Sequence, residues 1–335
     1  MELAIKGKTA LVTGASMGIG RGIATALARE GVKLAVVARR RSLLEELEKE
    51  LGQKLVIIEC DLMQENSFEK IAQAALDGLG SVEILINNAG GSRKFTLESN
   101  DDQWEEALTL NFTRQRQLAH KLLPQMMAKK WGRIVNITGK SEPEGLNGAF
   151  AAKAAMHSWA KGLSREVGKH GITINSIPPG RIMSEQISRH YTPEYRQWQA
   201  DNEIPVGRYG EPADIGHLVC FLASPLAGYI SGAVIPVDGG HDVPEITTRC
   251  WAILDKRPGD MMCATSRMIV KRQGAERPSV VPCTLIPYDA AFEMGATLAD
   301  AAHAHGGMFA AGAVKLCHPH CAKFCVLGGG SCSGR

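Results

Sequence analysis

Between residue 8 and about residue 240 the chain alternates short apolar runs with longer segments of helical spacing. The apolar runs are TALVTG (9–14), KLAVVAR (33–39), LVIIECD (55–61), EILINNAG (83–90), RIVNIT (133–138), ITINSI (172–177) and AVIPVDGG (233–240). Most are apolar on successive positions rather than on every second one, the pattern of strands covered on both faces. Helical periodicity fills the intervals near 18–30, 42–52, 65–78, 101–130, 150–169 and 211–223. Regular alternation of this kind predicts parallel strands joined by crossover helices, because a hairpin cannot connect parallel neighbours. The expected architecture is α/β, a doubly wound parallel sheet of about seven strands with helices on both faces.

The pattern stops soon after VDGG (237–240). Residues 244–335 carry RPGD, ERPSVVPC, HAHGG, CHPHC and LGGGSCSGR, where proline and glycine recur too often for long helices or a sheet. We therefore read one domain over 1–243 and an irregular C-terminal extension, accessory or disordered, over 244–335. Ten Lys or Arg, seven Asp or Glu and seven of the nine cysteines fall in that extension, leaving 28 charges of each sign before it. A neutral body carries no electrostatic footprint for nucleic acid or a membrane surface. No run of 18 apolar residues is present, and MELAIKGKTALVTGA passes directly into a strand pattern without a leader. Two isolated body cysteines, Cys60 and Cys220, fit a reducing compartment, so a cytoplasmic protein is expected. Cys317, His318, His320, Cys321 and Cys325 have zinc-ligand chemistry but lack two separated ligand pairs, and no metal is expected.

Candidate chemistry begins where the first strand gives way to a helix, at TGASMGIGRGIA. There Gly14 permits a tight turn, Gly18 lets backbone approach a pyrophosphate, and Gly20 allows close packing of helix on sheet. The first-turn amides lie at the positive end of the helix dipole. At the end of the second strand, where a carboxylate would accept from the adenosine ribose of NAD, stand Arg39, Arg40 and Arg41. Guanidinium groups suit a 2′-phosphate, so NADP(H) is the expected cofactor, with Arg39 and Arg40 as its holders and Arg41 as a solvated residue.

With TGASMGIG (13–20), NNAG (87–90), Asn111 in TLNF, Lys153 and PPGRI (178–182) in this order, the chain resembles the short-chain dehydrogenase/reductase family. The likeness runs from residue 5 to about 243 and is nearest to 3-oxoacyl reductase-like members. It implies a Rossmann fold, a small-molecule carbonyl or alcohol substrate, and a homo-oligomer, dimer or tetramer. By the same resemblance Ser16 and Ile19 belong to the phosphate turn, and Asp61 with Leu62 meets the adenine. Asn87, Ala89 and Gly90 would sit beside the adenosine ribose and brace the sheet, while Pro179 and Gly180 would line the nicotinamide. Lys153 would bind the nicotinamide ribose. Asn111 would bend its helix and hold a water that relays protons to Lys153.

One residue breaks the pattern. The family mechanism requires a tyrosine four positions before the lysine, on the same helix face, and that position holds Ala149. Phe150, one position later, points about 100° around the helix and has no hydroxyl. The family's serine falls at or near Gly139, leaving Thr138 and Ser141 as the hydroxyl candidates. Glu142, Glu144 and the tyrosines of 191–209 are the candidate substitute acids, the two glutamates reading first as solvated loop residues, while His157 reads as a packing residue rather than a catalyst. Two functional readings follow: an NADP(H)-dependent oxidoreductase with an atypical proton donor, or a catalytically impaired relative that binds NADP for sensing or assembly.

Overall fold

The computed structural model describes residues 2–93, 95–139 and 145–241, together with five short strands between 262 and 324. The chain divides into two units, Met1–Asp242 and Val243–Arg335.

The first unit is built on a parallel sheet of β1 (Thr9–Thr13), β2 (Lys33–Ala38), β3 (Val56–Glu59), β4 (Ile84–Asn87), β5 (Gly132–Ile137) and β6 (Ile172–Ile177). Their order is β3-β2-β1-β4-β5-β6, so the winding reverses between β1 and β4. That reversal opens a crevice beyond the C-terminal strand ends, where ligands of such sheets bind. The expected seventh strand over 233–240 is corrected: it forms isolated bridges, Ser176 to Val234 and Pro179 to Val237, beside β6. Hydrogen bonds still run between the two segments, from Ser176 N to Ala233 O and from Gly180 N to Val237 O. Pro178, Pro179 and Pro236 have no N–H, which interrupts a continuous ladder.

Alternate residues of each strand serve different faces. Val12, Val36, Ile86, Val135 and Ile137 pack with α1 (Gly18–Arg29), α2 (Arg41–Leu51) and α9 (Pro212–Leu222). Leu11, Val37, Leu85, Ile134 and Ile174 pack with α3 (Ser67–Leu79), α5 (Arg114–Ala128) and α6 (Gly148–Val167). The single helix expected over 101–130 is α4 (Asp101–Leu108), a π-helical turn (Thr109–Thr113) and α5 in succession. The segment after β6 contains α7 (Glu185–His190) and α8 (Pro193–Asn202), which apolar periodicity did not announce because α8 is polar nearly all round.

In the second unit β7 (Met262–Ala264), β8 (Arg267–Val270) and β9 (Ser279–Pro282) form an antiparallel sheet. β10 (Ile286–Pro287) pairs with β11 (Lys323–Phe324). The expectation that proline and glycine leave no sheet in this region is corrected to that extent. Strands of two to four residues fit between the breakers.

Candidate active site

The crevice is framed by two backbone turns clamped together. Thr13 Oγ1 donates to Ile86 O at 3.2 Å and accepts from Asn88 N and Ala89 N, each at 3.0 Å. Asn88 Nδ2 donates to Thr13 O at 2.9 Å and Gly14 O at 3.1 Å. Neither Thr13 nor Asn88 was singled out from the sequence; two polar residues ending adjacent strands at the reversal point were the available signal. This clamp explains two glycines. Gly14 has φ +67°, and a Cβ there would lie 2.9 Å from Ala89 Cα. A Cβ on Gly20 would meet Gly14 O at 2.2 Å, so the helix start can press against the turn only without a side chain.

Gly18 differs, for a Cβ there would have only Ser184 Cβ nearby, at 3.4 Å. The N-cap Met17 makes no side-chain cap bond and the first turn of α1 holds no acid, which leaves its amides and dipole available to an anion. Ser16 is half-buried and its carbonyl accepts from Arg21 at 3.5 Å, while Ile19 packs partly against the core. A groove of about 930 Å³ borders Gly18 and Ser184 and runs along α1 toward Leu3.

At the end of β2, Arg39 and Arg40 are exposed. Arg40 reaches Met17 Sδ at 3.6 Å, whereas Arg41 is engaged by Glu45 at 2.7 Å as an i,i+4 pair. Asp61 Oδ1 accepts from Met63 N at 3.0 Å, and the carbonyl of buried Leu62 accepts from Ser67 and Arg114. Open first-turn amides beside guanidiniums that have no carboxylate partner among the described residues fit a phosphorylated dinucleotide.

Asn87 is fully buried, and its Nδ2 donates to Asn136 Oδ1 at 2.9 Å, bracing β4 to β5. Ala89 is half-buried and its carbonyl accepts from Gln115. Gly90 is exposed, and a Cβ on it would lie 2.8 Å from Asn111 Oδ1. Asn111 sits inside the π turn, a geometry that inserts one residue into the helical ladder and bends it. Its Nδ2 donates to Gly91 O at 3.0 Å and Ala107 O at 2.9 Å, and its Oδ1 accepts from Gly91 N at 3.1 Å. The side chain thereby ties the loop after β4 to the helix.

The helix that carries the lysine is started by Asn147, whose side chain accepts from Ala149 N at 2.9 Å and Phe150 N at 3.4 Å. Two turns on, Lys153 Nζ donates to Thr138 O at 2.9 Å. Burial draws the Lys153 ammonium down to about 8. Thr138 is buried and its hydroxyl pairs with His157 Nε2 at 2.7 Å, so His157 is a polar partner in the site rather than only packing. Burial and the Lys153 charge both lower the His157 pKa. Ala149 is 2% exposed and Gly139 is buried. A Cβ on Gly139 would lie 3.2 Å from Lys153 Cδ and 3.5 Å from the Phe150 ring. The phenyl ring and the lysine stem, three residues apart, thus share the space next to the serine position. Pro179 and Gly180 are half-buried at the end of β6, and a Cβ on Gly180 would meet Asp238 Cα at 2.5 Å. Ser141, Glu142 and Glu144 lie outside the described residues, as do Cys317, His318, His320, Cys321 and Cys325.

A parallel sheet whose winding reverses beside a glycine turn, with a lysine-bearing helix after β5, is the architecture of a doubly wound α/β protein with a ligand crevice at the reversal point. The family model described as enoyl-(acyl carrier protein) reductase matches residues 14–242. The chain belongs to the short-chain dehydrogenase/reductase family and is an oxidoreductase of that family. The 3-oxoacyl-[acyl-carrier-protein] reductase FabG of Aquifex aeolicus is 34% identical over 251 residues, covering 72% of this chain and 99% of that protein. Among solved structures, L-sorbose reductase from Gluconobacter frateurii, complexed with NADPH and L-sorbose, aligns with a TM-score of 0.68 and 29% identity, covering 72% of this chain and 100% of its own. A 7α-hydroxysteroid dehydrogenase complexed with NADH and 7-oxo glycochenodeoxycholic acid aligns with a TM-score of 0.68 and 30% identity, over 71% and 96% of the two chains. Both nicotinamide cofactors and unlike substrates occur on this fold.

Proposed function

We propose that residues 1–243 form an NADP(H)-dependent oxidoreductase that moves hydride between the nicotinamide and a small carbonyl or alcohol substrate of 3-oxoacyl type, with an atypical proton donor. Residues 244–335 are an accessory segment in this reading, and the protein works as a cytoplasmic homo-oligomer, dimer or tetramer. The observation that carries the proposal is the pairing of Lys153 Nζ with the Thr138 carbonyl after β5, in a chain whose glycine turn leads into α1 without a side-chain cap or first-turn acid. In this reading the residues that would hold the hydride donor follow the family pattern, and the proton donor departs from it.

NADPH, when bound, supplies the hydride. The first-turn amides of α1 with Gly14, Ser16, Gly18, Ile19 and Gly20 hold its pyrophosphate, and Arg39 and Arg40 its 2′-phosphate. Asp61, Leu62, Asn87, Ala89 and Gly90 border the adenosine half. Lys153 holds the nicotinamide ribose, Pro179 and Gly180 line the nicotinamide, and Asn111 supports the proton path. Thr138 and Ser141 are the hydroxyl candidates, and the Thr138 carbonyl also accepts from Lys153.

A second reading, an impaired relative that binds NADP for sensing or assembly, draws on the loss of both hydroxyl positions at Ala149 and Gly139. NADPH oxidation over a panel of small ketones and 3-oxo esters, with the parent chain beside Ala149→Tyr, separates the two. Turnover by the parent supports the oxidoreductase. Cofactor binding without turnover, restored by the tyrosine, supports the impaired relative.

A further inference from the structure

The absence of a tyrosine leaves a specific question, which group at the lysine end of the crevice can give up a proton. β6 carries no ionisable side chain, and neither does the π turn, TLNFT. On α4, Glu105 accepts from Thr109 at 2.8 Å, Glu106 pairs with Arg93, and Asp101 and Asp102 occupy the exposed first turn. From β5 comes Thr138, neutral and already bonded through its hydroxyl. On α6 itself, His157 is held toward its neutral form by burial and by the lysine charge. On the segment after β6, Tyr191 and Tyr195 stack on each other, Tyr195 stacks on Trp198, and Tyr209 donates to Gln199. Among the described groups beside Gly139, Lys153 is the proton carrier left.

Resting on the oxidoreductase reading, we infer that Lys153 is itself the general acid and base, its ammonium placed by the Thr138 carbonyl. Two neighbours prepare it. Glycine at 139 admits the lysine stem to within 3.2 Å of where a Cβ would stand, and the Phe150 ring borders the same space. An apolar wall beside an ammonium strips it of water and eases proton release. One N–H is committed to Thr138 O. An ammonium has further N–H bonds to offer. Hydride adds to the carbonyl carbon, and the C=O π pair moves onto oxygen. That oxygen takes a proton from Nζ, the N–H bond breaks with its pair left on nitrogen, and the neutral amine regains a proton from solvent. In alcohol oxidation the neutral amine accepts the proton. With the lysine drawn to about 8, both forms are populated close to neutrality.

The experiment uses the full chain and three readings: lysine side-chain NMR across pH without cofactor, the pH profile of NADPH-dependent ketone reduction, and calorimetry of NADPH on Lys153→Arg. Arginine keeps the positive charge but releases no proton in this range. We expect a Lys153 titration midpoint near 8. Reduction should fall roughly tenfold per pH unit above that midpoint, and Lys153→Arg should lose about 10²- to 10⁴-fold in kcat. Its NADPH affinity is read separately, since Lys153 also holds the nicotinamide ribose: a loss confined to binding, with kcat at saturating NADPH retained, overturns the acid role. A parent that reduces ketones while Lys153 titrates in the ordinary lysine range, or an arginine variant that keeps most of the turnover, overturns the acid role and leaves the oxidoreductase standing. A parent that binds NADPH without any turnover overturns the oxidoreductase reading and the acid role with it.

Discussion

Lys153 couples the chemistry to stability in a way that titration exposes. Its folded value lies below that of an unfolded lysine, near 10.4, so the unfolded chain holds the proton more tightly. The penalty is therefore full at neutral pH and is relieved as pH rises from about 8 toward the unfolded value. Lys153→Met is expected to raise the midpoint of thermal unfolding at pH 7, with the gain shrinking by pH 10; scans at the two pH values check the sign. The lysine, the missing tyrosine and the glycine turn were all legible as letters at fixed spacings. Phe150 was not, because a helical wheel gives its direction but not the empty space over Gly139 that lets its ring approach the lysine. The bond from His157 to Thr138 was not legible for a similar reason: it depends on where β5 ends against α6.

At the scale of elements, the site depends on how α6 begins. Gly148 opens the helix, and a Cβ there would press within 2.6 Å of the Phe95 ring and 2.9 Å of Ala107 Cβ. The cap at Asn147 thus fixes a closely packed helix end only a few residues from the lysine. Asn147→Ala removes an acceptor of two amides and should cost about 1 kcal/mol, read as a lower denaturant midpoint with an unchanged slope. The six strands of the first sheet and their flanking helices could be read from apolar runs, since continuous burial leaves a strong pattern. The π turn could not be read from spacing, because nothing in TLNF distinguishes an extra helical residue from an ordinary one; only the family resemblance implied that Asn111 bends its helix. AVIPVDGG reads as a strand by composition, yet prolines on both segments reduce it to bridges.

For the molecule as a whole, cofactor choice is where sequence and geometry meet most plainly. Arg41 pairs with Glu45, while Arg39 and Arg40 remain exposed at the rim of the crevice without a carboxylate partner among the described residues. Hydrogen bonds to charged groups contribute about 1.5–3 kcal/mol each, so Arg39→Ala with Arg40→Ala should weaken NADPH by at least about tenfold and hardly alter NADH. The substrate was not legible in the sequence, since pocket shape depends on the α7–α8 segment, whose aromatic residues Tyr191, Tyr195 and Trp198 stack on one another in the folded chain. The most direct measurement is a calorimetric titration of the folded parent chain with NADPH and, separately, NADH. Saturable heat with NADPH at an affinity at least about tenfold above NADH is the predicted result. No heat with either cofactor, or a preference for NADH, would contradict the account.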